Sequence, residues 1–164
     1  MPDILEYLKR AAGPIWWHAV AFLRLALAVG CAAVIGLERE RREKRAGLRT
    51  HILICAGACL FTLVGLRMRT DFAGSDPIRL VQALVIGVGF LGGGVIFTKG
   101  ASVRGLTTAA GLWVLTGIGL AAGLGYYALA IFATALAFGV IVWVKKIEPR
   151  LHDGAGPQGP PQDQ

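Results

Sequence analysis

Apolar residues run almost unbroken through residues 15–36, and the pattern returns four more times, at about 50–66, 79–98, 106–124 and 126–143. Each run approaches the roughly 20 residues that an α-helix needs to cross the hydrocarbon core of a bilayer. Polar connections separate them: "ERERREKRAGLR" after the first run, a stretch with Arg67, Arg69, Asp71, Asp76 and Pro77 after the second, and "KGASVRG" after the third. Pro14 precedes the first run, where a first-turn proline loses no intrahelical hydrogen bond. Trp16 and Trp17 open that run, and Tyr126 and Tyr127 open the fifth; aromatic side chains of this kind mark membrane–water interfaces. The pattern predicts an all-α membrane protein with five transmembrane helices over residues 15–146. Residues 1–14, with Ile4, Leu5 and Leu8 on one side, read as a short interfacial segment and not as a cleavable signal peptide. Residues 147–164, rich in Pro, Gly and Gln, have no apolar periodicity and are expected to form a disordered cytoplasmic tail.

Composition sharpens this picture. The chain is 55% hydrophobic and only 16% charged, where a soluble domain carries about 25% charge. Its formal charge of +7 does not indicate nucleic acid, because the basic residues crowd at the ends of apolar runs instead of tracking one face. That distribution orients the chain. Eleven Lys and Arg lie in the connections after runs one and three and in the tail, against five on the other side. The positive-inside rule then places the N-terminus outside and the C-terminus in the cytoplasm.

Gly87, Gly89 and Gly92 spell G-x-G-x-x-G within "GVGFLGGGVIF", the spacing of a dinucleotide-binding turn. Such a turn needs a strand before it and a helix after it, whereas these glycines sit in the middle of a membrane run. Two other readings stand. Gly89 and Gly93 form G-x-x-x-G, as do Gly119 and Gly123, and Ala32 with Gly36 is a similar small pair; small residues at this spacing let helices pack closely. Alternatively, Gly92, Gly93 and Gly94 together carry a propensity penalty of about 3 kcal/mol relative to alanine and break the third helix, which is tolerated only where protein or a water-filled cavity satisfies the backbone.

Polar groups inside the runs are the candidates for function. Arg24 lies about 12 Å below Trp16 at about 1.5 Å per residue, where an arginine costs roughly 2.5–3.5 kcal/mol. Either it snorkels to the outer surface or it faces the bundle, held by Gln82, Thr116 and carbonyls near Gly87. No carboxylate lies deep in a run, so a magnesium site, which takes oxygen ligands and usually one or two carboxylates, is poorly provided for within one copy, and no metal ligands are assigned. Cys31, Cys55 and Cys59 all lie in apolar runs and read as small hydrophobes. At the basic end, Glu38, Arg39, Arg49 and Thr50 bracket one connection, and Lys99, Arg104, Thr107 and Thr108 come from the other. Two basic turns on one face suit lipid phosphates, an anion or an acidic partner. No nucleophile, base and orienting group occur together, so the chain does not read as an enzyme, and no cofactor is expected.

The segments "GLERERR…AGLRTHILICAGACLFTLVG" and "VGFLGGGVIFTKGASVRGLTTAAGLWV" resemble the MgtC/SapB family of bacterial inner-membrane proteins, over about residues 18–143. The resemblance implies a multi-pass inner-membrane protein tied to growth in low magnesium and, in pathogens, to survival inside macrophages. It implies a regulator that binds membrane machinery, notably the F-type ATP synthase, or its own copies, through glycine-rich helix faces. A small oligomeric transporter, with magnesium as its cargo, is the alternative. Family motif positions carry over to Arg24, Glu38, Arg39, Arg49, Thr50, Gly92, Arg104, Gly105, Thr107 and Thr108. Many members continue into a soluble cytoplasmic domain, in whose place this sequence has the short Pro/Gly/Gln tail.

Overall fold

A computed structural model describes residues 15–71, 76–99 and 102–144; the expected interfacial segment 1–14 and tail 147–164 lie outside the described residues. Among the described residues five α-helices follow one another: α1 (Ile15–Arg41), α2 (Leu48–Asp71), α3 (Pro77–Val95), α4 (Leu106–Leu124) and α5 (Tyr127–Gly139), the last continued by a π-helical turn over Val140–Val144. Four of them, α1 to α4, are long and apolar enough to cross a membrane, and the stretch Tyr127–Trp143 is a shorter apolar helix. The protein is an all-α membrane protein.

The helices pack along stripes set by the helical repeat. On α1 the buried residues are Ala28, Cys31, Ala32, Ile35, Gly36 and Arg39, spaced three and four apart as one helix face requires. On α2 the matching stripe is His51, Cys55, Ala58, Cys59, Thr62 and Leu63. Most of these side chains are small, which draws the backbones together where helix association depends on van der Waals contact instead of expulsion of water. Three of the four buried threonines turn their hydroxyls back on their own helices: Thr62 donates to the Ala58 carbonyl, Thr116 to Leu112 and Thr134 to Ala130. This satisfies each hydroxyl without a partner from another helix. The three cysteines are free and buried in the same core.

The helix α4 is central and α3 peripheral. Half of the α4 span is buried, against 11% of the α3 span, where only Val88 and Gly92 are buried. Asp76 caps α3, its carboxylate accepting from the Ile78 N–H at 2.9 Å, with Pro77 in the first turn. The helix runs unbroken through Gly92, Gly93 and Gly94, which decides against a break there, and it stops at Val95, three residues before the sequence expectation. Beyond the glycines, Ile96 is extended, and a two-stranded hairpin follows, β1 (Phe97–Lys99) against β2 (Ser102–Arg104) with Phe97 opposite Arg104. Low helix propensity at the glycines and β-favouring Ile96, Phe97 and Thr98 account for this early end.

Candidate functional site

The basic end of the bundle is assembled from α1, α2, the hairpin and the head of α4. The α1–α2 connection is pinned by three contacts. Arg42 pairs with Glu38 one turn before it, as i, i+4 spacing allows. The Glu40 carboxylate accepts the Leu48 N–H at 2.8 Å, supplying the start of α2 with an acceptor. Gly47 leaves room for this, since a Cβ there would have to push that same carboxylate aside. His51 is buried at the next turn, with Nδ1 2.8 Å from the Gly47 carbonyl; a carbonyl only accepts, so Nδ1 carries the proton. Gly36 lets α1 and α2 cross here: an added Cβ would lie 2.9 Å from the Leu48 Cα and 3.1 Å from the His51 Cβ.

Arg39 sits at the centre of this end. It is only 5% exposed, and its Nη2 donates to the Thr108 Oγ1 at 2.6 Å. Thr108 lies in the first turn of α4, which starts after Gly105 at φ +95°. That backbone needs glycine twice over, for the positive φ and because a Cβ would meet the Val95 carbonyl at 2.1 Å. Arg45 adds a second bridge, its guanidinium carbon 3.7 Å from the centre of the Phe97 ring, a cation–π contact between the α1–α2 connection and the hairpin. Of the residues expected on this face, Arg39 and Thr108 are in contact. Glu38 is half-buried on Arg42. Arg49, Thr50, Arg104 and Thr107 are exposed, and Lys99 closes β1. Glu40, Arg45, Gly47, His51 and Phe97 were not among the candidates. The signals for His51 and Glu40 were local: an imidazole inside an apolar run, and an acid eight residues before the next helix.

At the opposite end, Arg24 faces the bundle but not through the expected partners. Its Nη1 donates to the Gly123 carbonyl at 2.7 Å and its Nε to the Tyr127 hydroxyl at 3.3 Å. Gln82 is exposed on α3, and the Thr116 hydroxyl is turned to Leu112. The reason is depth. The 27 residues of α1 span about 40 Å, so its first turns pass beyond the end of α4, and Arg24 is level with the α4–α5 turn. A guanidinium at a helix C-terminus meets carbonyls left without helical partners and the negative end of the dipole. Gly125, at φ +86°, makes the turn and leaves room for the guanidinium, since a Cβ would lie 2.8 Å from Arg24 Nη2.

The glycines divide into two groups. Gly119 and Gly123 lie against α2, where added Cβ atoms would be 2.2 Å from the Cys55 carbonyl and 2.6 Å from the Thr62 Cβ. Gly92 faces Ala109 of α4 at 3.6 Å, whereas Gly89, Gly93 and Gly94 have nothing within 4 Å of a built Cβ. Among the described residues, no group of three or more His, Cys, Asp or Glu is placed to hold a metal.

A sequence profile described as the MgtC family matches residues 25–150. The chain belongs to the MgtC family. Among its family relatives, YhiD of Escherichia coli K12, provisionally named a magnesium transporter, is 41% identical over 124 residues, covering 73% of this chain and 58% of YhiD. The protein MgtC of Salmonella typhimurium LT2 is 39% identical over 130 residues, covering 79% of this chain and 54% of that protein. A Haemophilus influenzae relative is 39% identical over 126 residues, 73% of this chain and 53% of its own. The chain thus spans little more than half the length of these curated relatives. No solved structure matches it. MgtC-family membership and the apolar helices make it a multi-pass protein of the bacterial inner membrane.

Proposed function

We propose that this protein is a non-enzymatic regulator, acting in adaptation to low magnesium, which binds another membrane protein through the open glycine face of α3. The observation that supports this is the contrast between the two glycine stripes. Gly119 and Gly123 are used up inside the bundle, while at Gly89, Gly93 and Gly94 no atom of the described residues lies within 4 Å of where a Cβ would be, which leaves a strip of α3 backbone open. Small residues at such spacing are what a second helix needs for close approach. The names of the relatives MgtC and YhiD, the latter with magnesium in it, supply the physiological setting. The F-type ATP synthase is the partner that the family resemblance suggests, and a further copy of the chain is the other. A role in virulence belongs to the same reading.

The test is co-purification in mild detergent with mass spectrometry, comparing wild type with Gly93→Leu at equal membrane levels. The expected result is a specific membrane protein recovered with wild type and lost with Gly93→Leu. Equal recovery from both would remove the reading. The transporter alternative rests on the name of YhiD; magnesium flux into liposomes containing only this protein would favour it.

A further inference from the structure

We infer that the basic end of the bundle carries a site for a phosphate group, formed by the buried Arg39 guanidinium where it meets Thr108 at the head of α4. The inference is independent of the α3 partner face.

It starts from an imbalance. Arg39 is more than nine-tenths buried, and buried charges in proteins are ordinarily paired with opposite charge. Here the acceptor is the neutral Thr108 hydroxyl. Among the described residues the ion pair within 4 Å is Arg42–Glu38, so no carboxylate neutralises Arg39. Of the acids near it in sequence, Glu38 is engaged by Arg42 and Glu40 by the Leu48 N–H, and Glu43 is exposed. Arg42, three residues on, is spent on Glu38, so that pair leaves the Arg39 charge unbalanced. Yet the guanidinium is not sealed in. A small part of it, 5% of the residue, stays exposed, and no buried side-chain nitrogen among the described residues lacks a partner.

The head of α4 adds further donors. Thr108 belongs to the first turn of α4, and Gly105 offers that turn no side-chain cap. The first peptide N–H groups of a helix have no partners within it and form the positive end of its dipole. A guanidinium, a threonine hydroxyl and uncapped N–H groups thus meet at one place, with Thr107 exposed beside them. This set lacks a compact anion with several acceptor oxygens. Phosphate has that form: helix N-termini bind it, and arginine matches its oxygens with paired hydrogen bonds. The place, where membrane-crossing helices begin and end, suits the phosphate of a lipid headgroup; free inorganic phosphate has the same chemistry.

The test uses the full chain purified in neutral detergent. Its melting midpoint is measured while phosphatidylglycerol, diacylglycerol or inorganic phosphate is titrated. A rise with phosphatidylglycerol alone assigns the headgroup, and a rise with inorganic phosphate as well assigns the free anion; either supports the site. No rise with either phosphate compound, or an equal rise with diacylglycerol, overturns it. Arg39→Gln is expected to weaken the apparent affinity about tenfold or more, as loss of a charged hydrogen-bond donor does. The exposed neighbour Arg41, changed to Gln, is expected to weaken it less than about threefold, an outer-surface charge being worth little. Equal losses from the two variants would mean a diffuse basic surface and would overturn the site. Should Arg39→Gln fail to fold, Thr108→Val serves in its place, keeping the guanidinium but removing the hydroxyl; undiminished affinity in that variant overturns the site too.

Discussion

Gly125 shows how much one residue can carry. It takes φ +86° to end α4, and the Arg24 guanidinium occupies the space a side chain would need. Gly117, on the same helix, has neither constraint: nothing lies within 4 Å of its built Cβ. Gly125→Ala is therefore expected to destabilise the protein by about 1–2 kcal/mol from the left-handed backbone alone, and further through displacement of Arg24. Gly117→Ala is expected to leave stability unchanged or raise it, since alanine is the better helix former. Thermal unfolding in detergent checks both, and equal behaviour of the two variants would contradict the account. The need of Arg24 for acceptors was readable from its position in an apolar run. Which acceptors it finds was not, because depth counted from Trp16 assumes that all helices begin at one level, and α1 passes beyond the end of α4.

The same contrast holds for whole elements. All five helices were legible as apolar runs, because hydropathy reports the solvent around a helix directly. The early end of α3 and the hairpin were not, because Ile96, Phe97 and Thr98 suit a membrane helix and a strand equally well by hydropathy. The glycine stripes likewise look identical in sequence: Gly89 with Gly93 on α3, and Gly119 with Gly123 on α4. Only packing separates an interior stripe from an open one. Gly119→Leu has to displace the α2 backbone at Cys55, and overpacking of that kind costs about 1–3 kcal/mol or more. Gly93→Leu meets open space and is expected to melt with wild type in detergent. Were Gly93→Leu the more damaging, α3 would have a close neighbour and the open-face argument would fail.

For the whole molecule, the polarity of the chain across the membrane decides what each end can meet. The two polar constellations lie at opposite ends of α4: Arg39 with Thr108 at its head, Arg24 with Gly123 at its tail. By the positive-inside rule, eleven against five basic residues predict that the first lies in the cytoplasm, where it would meet cytoplasmic phosphate and the anionic inner leaflet. Thr107 and Tyr126 are exposed at these two ends, and the native cysteines are buried, so single cysteines introduced at either position report its side. A membrane-impermeant maleimide applied to intact spheroplasts is expected to label Tyr126→Cys at once and Thr107→Cys only after permeabilisation. The reverse pattern would put the Arg39 end outside the cell. The phosphate site would then face the periplasmic leaflet, and the excess of Lys and Arg around it would have to be explained by ligand binding and not by topology.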